Sequence, residues 1–305
     1  MSTTGPHVVA LLVLQALCAT TAHSEAPGGA VSNEEVSKQS GIYRSRGEDV
    51  PAGYVVDRSL LSYAFTLGTE FTRSLASLGS GDRWLDIGAG EGRAVLDYCT
   101  SKYEALFQGA NRNAGKAKSV ALSIEDRRTV QWHLTAATLE PTQIQYLFGR
   151  RLREYSQEEL GQFQVITDVL GGFSYTRYLS VFMEKALGFL ALNGSFYTVL
   201  QDVRSEAGKN RPYYPDARFL TEMADARGSE LQVCAWLKSI TCVEVTCEAK
   251  ADRTPPIEVY RIRKTCDGVI VPPVALTHFE AGTPPERRFV SGTPAAPPER
   301  SGAPP

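Results

Sequence analysis

The segment Trp84–Arg93, WLDIGAGEGR, constrains the fold of this chain more than any other stretch. An apolar run reaches Asp86, and glycines then follow at alternate positions, at Gly88, Gly90 and Gly92. Glycine adopts backbone angles that other residues avoid, and it lets the backbone approach a ligand closely. A strand that enters such a turn and leaves as a helix is typical of an α/β sheet that binds its ligand at the carboxyl ends of its strands.

Helix-like and strand-like segments alternate on both sides of this turn. Apolar residues recur near a helical period over 59–78, 93–107 and 177–191, which predicts helices there. Near the C-terminal end, two runs alternate apolar and polar residues around KADRTPP, which predicts an antiparallel hairpin at a sheet edge. The predicted fold class is therefore α/β, with a doubly wound, mostly parallel seven-stranded sheet that ends in an antiparallel hairpin. The predicted strands cover 83–88, 119–125, 144–148, 163–170, 195–200, 239–249 and 257–265, a turn at Asn193–Gly194 precedes the fifth, and a further helix covers 215–228.

The N-terminal end differs in composition from the centre. Val8–Ala22 is a weakly polar to apolar run, and polar residues with glycine and proline follow it, which is typical of a secretory signal. The run is shorter than the roughly twenty residues of a membrane span, so no stable span is expected. We predict a signal peptide at 1–24, a linker at 25–52, and an exported or periplasmic protein. Since no Lys or Arg precedes the run, a lipoprotein with Cys18 at its anchor and a cytoplasmic protein with an N-terminal extension stay as alternatives.

The C-terminal end is rich in proline. Nine of the 17 prolines lie after Val271, and Pro-Pro-Glu-Arg occurs there twice. Such a composition buries too little apolar surface to offset the entropy of chain ordering. We predict a disordered tail over 268–305, with a proline-rich docking motif as the alternative. A single domain over 53–267 remains between the two ends.

Charge and cysteines exclude several classes of function. The net charge of -2 gives no reason to expect a nucleic-acid partner, which requires a concentrated basic surface. No pair of cysteines has C-x-x-C spacing and the chain has only four histidines, so no metal site is expected. Cys234, Cys242, Cys247 and Cys266 lie close together in sequence. We favour buried free thiols for them, with one disulfide as the alternative if the protein is exported.

The spacing of the glycines distinguishes two cofactor classes. A dinucleotide site prefers G-x-G-x-x-G, and Arg93 occupies the position of its third glycine. LDIGAGEG, with Asp86 two residues before Gly88, instead resembles motif I of the class I, Rossmann-like S-adenosylmethionine-dependent methyltransferases. The resemblance covers about Gly53 to Lys264. It implies a Rossmann-like methyltransferase fold, S-adenosyl-L-methionine as cofactor and a small-molecule methyl acceptor.

The same resemblance implies where the cofactor binds. In this family the second strand ends in an acid that holds the ribose. Ser123 has the matching position, and Glu125 or Asp126 supplies the carboxylate if the strand is two residues longer. After the third strand, Arg150 stands where the family places a residue near the adenine, either to stack on it or to contact a carboxylate. The implied cofactor-binding residues are Asp86, Gly88, Ala89, Gly90, Glu91, Gly92, Ser123, Glu125, Arg150, Asp168 and Val169.

ITDVLGGFSYT, at the end of the fourth strand, resembles the family motif in which an aspartate and the next loop line the methyl-transfer site. Asp168 is therefore the candidate catalytic residue, and the alternative is that it only caps the junction before Gly171 and Gly172. Aromatic residues of this loop form a candidate acceptor pocket or, alternatively, pack in the interior. The candidate pocket residues are Phe173, Tyr175 and Tyr178.

Three functions follow from these patterns. The first is an S-adenosylmethionine-dependent methyltransferase, in which the protein aligns the acceptor with the methyl group and removes a proton where the acceptor is a hydroxyl. His133 is a candidate base, although a surface histidine is the more frequent outcome. The second is an exported methyltransferase-like binding module without catalysis, because S-adenosylmethionine is made in the cytosol. A dinucleotide-dependent oxidoreductase is the third.

Overall fold

The computed structural model describes residues 58–103, 105, 115–124, 126–176, 179–201, 223–224, 230–250, 257–276, 278–281 and 287–290. The predicted signal peptide and linker lie outside these residues, as does most of the predicted helix at 215–228. Among the described residues, no helix is both long and apolar enough to cross a bilayer.

A seven-stranded sheet forms the centre of the fold, in the order β3-β2-β1-β4-β5-β9-β8. β1 pairs in parallel with β2 on one side and with β4 on the other. β9 runs antiparallel to β5 and pairs with β8 as a hairpin. The predicted doubly wound, mostly parallel seven-stranded sheet with a closing hairpin is therefore confirmed. In chain order the strands are β1 (Arg83–Ile87), β2 (Lys118–Leu122), β3 (Ile144–Leu147), β4 (Phe163–Val169), β5 (Leu190–Gln201), β6 (Met223–Ala224), β7 (Glu230–Leu231), β8 (Val243–Lys250), β9 (Ile257–Lys264), β10 (Ala275–Leu276), β11 (His278–Ala281) and β12 (Arg287–Val290).

Helices pack on both faces of this sheet. They are α1 (Leu60–Leu67), α2 (Thr69–Ala76), α3 (Arg93–Cys99), α4 (Val130–Ala136), α5 (Gln157–Leu160), α6 (Gly172–Tyr175), α7 (Leu179–Phe189) and α8 (Val233–Lys238), with a 3-10 helix at Leu152–Glu154. Because neighbouring side chains of a strand point to opposite faces, the strands supply two cores. One contains Phe163, Met183 and Phe196, and the other contains Trp84 and Tyr197.

The helix predicted over 59–78 is two helices. Ser59 caps α1 by accepting a hydrogen bond from the Ser62 N–H at 3.2 Å. Gly68 then adopts a φ of 84° and donates its N–H to the Ala64 carbonyl, which ends α1. The apolar period continues through the break because both helices contribute to the same core, and so periodicity alone does not reveal it.

Two further boundaries differ from the prediction. The helix predicted over 93–107 ends at Cys99. The turn predicted at Asn193–Gly194 lies inside β5, where Asn193 has a φ of 63° and the pairing with β4 is irregular. Leu190, which precedes the turn, pairs with Phe163 of β4 and therefore belongs to the sheet. Within the predicted helix at 215–228, the described Met223–Ala224 instead pairs with β7, because strand pairing overrides a local helical preference.

Two disulfides stabilise the hairpin, so the prediction of free thiols is wrong. The alternative allowed for only one disulfide. Cys234–Cys247 joins α8 to β8, and Cys242–Cys266 joins the residue before β8 to the chain after β9. The bonded cysteines are 13 and 24 residues apart in sequence. The packing of the hairpin and α8 brings each pair together. Cys99 is free and buried, and burial raises the pKa of its thiol to about 12.

The domain continues past Asp267, where the predicted tail begins. Val271 is buried, and the Pro272 carbonyl accepts a hydrogen bond from the indole Nε1–H of Trp236 at 2.9 Å. The Val274 N–H donates to the Ser180 hydroxyl at 2.9 Å. The first residues of the predicted tail therefore complete the core beside α7 and α8, which corrects the predicted boundary. The short strands β10, β11 and β12 also form within the predicted tail.

Candidate functional site

The glycine turn lies between β1 and α3, at the point where the strand order reverses. β1 has β2 on one side and β4 on the other, and all three strands run parallel. Gly88, Gly90 and Gly92 have φ angles of 69°, 59° and 73°, all in the left-handed region. Other residues adopt this region at a cost, so the alternate glycines are a local requirement of the turn. In a doubly wound sheet, this crevice is where a ligand binds.

Neighbouring strands hold the glycine turn from behind. The Ala89 N–H donates to the Leu122 carbonyl at the end of β2, at 3.0 Å. Tyr146 of β3 donates its hydroxyl to the Gly90 carbonyl at 2.5 Å. Its ring also faces Gly92, where an added Cβ would lie 3.1 Å from ring carbon Cδ2. Sequence reasoning missed Tyr146, because the contact spans 56 residues and follows from the adjacency of β2 and β3.

Asp86 lies beneath the turn, in the interior, and its side chain is fully buried. Tyr63 of α1 donates its hydroxyl to the carboxylate, 3.0 Å from each oxygen, and Thr167 of β4 donates to Oδ1 at 2.7 Å. Burial raises the pKa of Asp86 to about 7, although both hydroxyls oppose the shift. The structure thus places Asp86 in an internal network with Tyr63 and Thr167, two residues that the sequence did not indicate. Its predicted contact with the cofactor stays a prediction.

Asp168 lies at the end of β4 and is also fully buried. Its Oδ1 accepts the Gly171 N–H and its Oδ2 accepts the Phe173 N–H, both at 3.0 Å. Burial raises the pKa of Asp168 to about 7, these backbone N–H groups oppose the shift, and the nearby Asp86 adds to it. The carboxylate therefore caps the start of α6, which is the alternative stated from the sequence. A catalytic role for Asp168 stays a prediction.

The loop after β4 meets the glycine turn directly. Gly88 and Gly171 pack so closely that a Cβ on Gly88 would lie 2.6 Å from the Gly171 Cα. Leu170, just before Gly171, has a φ of 54°, which is costly for a residue with a side chain. The structure therefore brings together the two segments that the sequence predicted at the site, and backbone contact joins them.

The aromatic residues predicted for the acceptor pocket have different surroundings. Phe173 is fully buried and packs against Phe182 and Tyr260 at ring distances of 6.1 and 6.2 Å. Phe173 thus packs in the interior, which is the alternative stated from the sequence, and its role in an acceptor pocket stays a prediction. Tyr175 is the last residue of α6, and Tyr178 lies outside the described residues.

The ends of β2 and β3 differ from the family pattern. Ser123 is buried and hydrogen-bonds to the Tyr146 hydroxyl, so it supports the turn from the side of β2. Glu125 lies outside the described residues, and Asp126 pairs with Arg128 at 2.6 Å. Arg150 pairs with Glu159 at 2.8 Å and stacks over the Tyr155 ring at 4.1 Å. Arg150 thus already has a carboxylate and a ring as partners, and its contact with adenine stays a prediction.

Arg128 is another residue that the sequence did not indicate. Its guanidinium lies 5.0 Å from the Tyr146 ring centre, 5.4 Å from Phe148 and 5.6 Å from Trp132. It thus joins aromatic side chains of α4, β3 and the residue after β3. His133 is exposed and its ring lies edge-on to Trp132. It is therefore a surface histidine, which is the alternative stated from the sequence.

One group of metal-ligand side chains occurs in the described part of the chain, formed by Cys234, Cys247 and Glu258. Two of its members are bonded to each other in a disulfide, which removes both thiolates as ligands. The group also lies among the disulfide-linked strands and α8, away from the glycine turn.

No protein-family model matches this chain, and no curated protein matches it. The chain is similar to an O-methyltransferase family protein from Burkholderia thailandensis, with 10% identity over 68% of this chain and a TM-score of 0.42, and it spans 58% of that protein's length. The O-methyltransferase TomG from Streptomyces achromogenes, in complex with SAM, is 12% identical over 78% of this chain and 92% of that chain, at a TM-score of 0.42. An rRNA methylase from Streptococcus thermophilus is 13% identical over 65% of this chain and 95% of that chain, at a TM-score of 0.37. The assignment of the fold rests on the strand order of this chain.

Proposed function

We propose that this protein is an S-adenosylmethionine-dependent methyltransferase. The observation that carries the proposal is the position of the G-x-G-x-G turn, with three left-handed glycines, where the strand order reverses between β2, β1 and β4. A ligand of a doubly wound sheet binds at this place. Arg93, at the position of the third dinucleotide glycine, favours a sulfonium cofactor over a nicotinamide or flavin dinucleotide.

The fit of the cofactor is best at the backbone of the turn. Gly88 is exposed and has no side chain, and Ala89 and Glu91 adjoin it. We assign the cofactor to this backbone, with Val169 at the end of β4 as its neighbour. When bound, S-adenosylmethionine would supply an electrophilic methyl group. The protein's part is to hold the acceptor in line with that group and to exclude water.

The buried carboxylates have supporting roles in this proposal. Asp168 fixes the loop after β4 through the N–H groups of Gly171 and Phe173, and so positions the wall next to Gly88. Asp86 fixes the base of the turn to α1 and β4 through Tyr63 and Thr167. Both are fully buried, so direct contact with an acceptor would require movement of the loop after β4.

Calorimetric titration tests the cofactor. We expect S-adenosylmethionine and S-adenosylhomocysteine to bind, and NADH not to bind. Gly90→Val is expected to abolish this binding, because a β-branched residue is costly at a φ of 59°. Gly81→Val is the matched control, since a Cβ at Gly81 has no neighbour within 4 Å. Binding of NADH alone would refute the proposal, and unchanged affinity in Gly90→Val would move the site away from the turn.

We further propose a small molecule as the acceptor and no nucleic-acid substrate. The net charge of -2 supports this, because a nucleic-acid surface concentrates basic residues. A screen of small hydroxyl, amine and thiol compounds, with release of S-adenosylhomocysteine as the readout, tests it. Methyl transfer to RNA but to none of these compounds would contradict it.

A second candidate function is a binding module of this fold without catalysis. The observation that favours it is the internal packing of the loop after β4, where Asp168 accepts backbone N–H groups and Phe173 is buried in the core. Cofactor binding without S-adenosylhomocysteine release for any acceptor would favour the module. Release above the buffer control would favour the enzyme.

We also propose that the protein is exported to an oxidising compartment. The signal-like Val8–Ala22 supports this proposal, and so do the two disulfides, which persist outside the reducing cytosol. N-terminal sequencing of the mature protein, with peptide mapping under non-reducing conditions, tests it. We expect a start near residue 25 and both disulfide-linked peptides. An intact Met1 with four reduced thiols would indicate the cytoplasmic alternative.

A further inference from the structure

Tyr146 of β3 contacts two of the three glycines of the turn. Its hydroxyl donates to the Gly90 carbonyl at 2.5 Å, and its ring lies against Gly92. Only 8% of Tyr146 is exposed, so this contact belongs to the interior side of the turn. The turn connects β1 to α3, and Tyr146 lies on β3. Tyr146 therefore attaches the turn to a third element of the fold.

The hydroxyl of Tyr146 has three partners. It donates to the Gly90 carbonyl and accepts the Arg127 N–H at 3.4 Å. Burial raises the pKa of the phenol, and the hydrogen bond that Ser123 makes to the same oxygen opposes this shift. A phenolic hydroxyl has one proton to donate, and it is directed at the turn. The hydroxyl therefore links the turn to the end of β2 and to the segment after it.

This hydrogen bond sets the direction of one peptide group. The peptide between Gly90 and Glu91 is planar and trans, so its C=O and N–H point in opposite directions. Since the carbonyl points at Tyr146 in the interior, the Glu91 N–H points away from Tyr146. Glycine restrains its own backbone less than any other residue, so a restraint on Gly90 has to come from outside the turn.

We propose that Tyr146 is a positioning residue, whose hydroxyl holds the Gly90–Glu91 peptide in the orientation that binds the cofactor. The inference rests on the proposed function. Neighbours fix the ring independently of the hydroxyl, because the Trp132 ring lies edge-on at 5.7 Å and the Arg128 guanidinium lies 5.0 Å from the ring centre. Tyr146→Phe therefore removes the hydrogen bond and retains the ring contacts.

Tyr197→Phe is the matched control. Tyr197 lies on β5 in the same core, and its buried hydroxyl is also hydrogen-bonded, to Ser74 at 2.7 Å and to the Glu70 carbonyl at 3.0 Å. Ser74 and Glu70 belong to α2 and a further partner, Ser195, belongs to β5, so the same chemical change removes hydrogen bonds elsewhere in the core. Both variants are expected to lose a similar amount of thermal stability, whereas only one of them alters the turn.

The test compares the affinity of wild type and both variants for S-adenosylhomocysteine, together with amide hydrogen exchange over residues 85–95. We expect Kd to rise by about fivefold to tenfold in Tyr146→Phe, which corresponds to one lost hydrogen bond, and to change less than about twofold in Tyr197→Phe. Exchange over 85–95 should rise in Tyr146→Phe alone.

The outcomes separate this inference from the proposed function. If wild type binds and Tyr146→Phe binds equally well, the positioning role is wrong while the proposed function stands. If wild type binds neither S-adenosylmethionine nor S-adenosylhomocysteine, the proposed function fails, and with it the assignment of Tyr146 to the cofactor. The exchange data then report only whether the hydroxyl restrains the turn. Equal weakening of binding in both variants would indicate a general loss of stability and would also overturn the positioning role.

Discussion

The turn after β1 and the loop after β4 lie side by side at the switch point, yet they are held in different ways. Both contain glycines, and they touch at Gly88 and Gly171. Groups distant in sequence hold the turn, namely the Leu122 carbonyl and the Tyr146 hydroxyl. Asp168 holds the loop from within, and Ser174 also donates its hydroxyl to the Val199 carbonyl of β5. The hydrogen bonds from Asp168 are therefore local, whereas those from Leu122 and Tyr146 to the turn depend on the order of the strands.

The two aspartates beneath these segments show the same difference. Asp86 accepts hydroxyl groups from α1 and β4, whereas Asp168 accepts backbone N–H groups three and five residues ahead of it. Burial raises the pKa of each carboxyl to about 7. Both aspartates are buried, but Asp86 attaches distant elements to each other, whereas Asp168 caps the loop that follows it.

Gly88→Val should have the largest effect, because it disrupts both segments at once. The new Cβ would lie 2.6 Å from the Gly171 Cα, and valine would have to adopt a φ of 69°. Overlap and strain together are expected to lower the free energy of unfolding by about 3 kcal/mol. Urea unfolding measures this change, with Gly81→Val as the control. Equal stability of the two variants would show that the contact between Gly88 and Gly171 is not required.

Asp168→Ala should disturb the loop more than the turn. The substitution leaves the N–H groups of Gly171 and Phe173 without their acceptor, at a cost of about 2 kcal/mol. Amide hydrogen exchange is expected to rise over residues 170–176 and to change little over 85–95. A larger rise over 85–95 would contradict the local character of the loop. Asp168→Asn retains one acceptor and should give a smaller change.

The pH dependence of stability should be a smaller effect that separates the two aspartates. A carboxyl with a raised pKa binds its proton more tightly in the folded state. Its contribution to stability is therefore complete below about pH 4, and it decreases as the pH rises to about 7, by up to about 1.4 kcal/mol per pH unit. Burial is the largest cause of the raised pKa of Asp86, while Thr167, Tyr63 and Arg58 lower it. Urea unfolding at pH 4 to 8 is expected to show this decrease in wild type.

The variants Asp86→Asn and Asp168→Asn should each flatten that decrease. Asp126→Asn is the control, since hydrogen bonds from Arg128 lower the pKa of Asp126. The contribution of Asp126 to stability is therefore lost only at acidic pH, below the ordinary pKa of an aspartate. A decrease that is unchanged in both variants would mean that other groups cause it.

Much of the fold followed from local sequence patterns. The apolar run of β1, the alternate glycines and the alternating residues of β8 and β9 were sufficient to predict the strands and the closing hairpin. The two roles considered for Asp168 were also local, because the glycines after it are close in sequence. The site was less predictable. Tyr146 is 56 residues from Gly90, and no spacing rule connects β3 to the turn.

Most of the errors have a related origin. Gly68 interrupts a helix whose apolar period continues on its far side, and pairing with β4 retains the residues before Asn193 in the sheet. The cysteines pair because β8, β9 and α8 meet in space. The errors at Asn193 and at the cysteines occur where distant contacts decide between local conformations, whereas the break at Gly68 is a local helix end that the continuing apolar period hides.

The sequence by itself determined the order of helices and strands and the position of the glycine turn. Those features depend on side-chain periodicity and on the left-handed angles that glycine adopts most readily, both of which act within a few residues. Only the tertiary structure decided what holds the turn, which residues contact Asp86 and which cysteines pair. These depend on contacts between elements that are remote in sequence, and the strand order and the packing of the helices on the sheet bring them together.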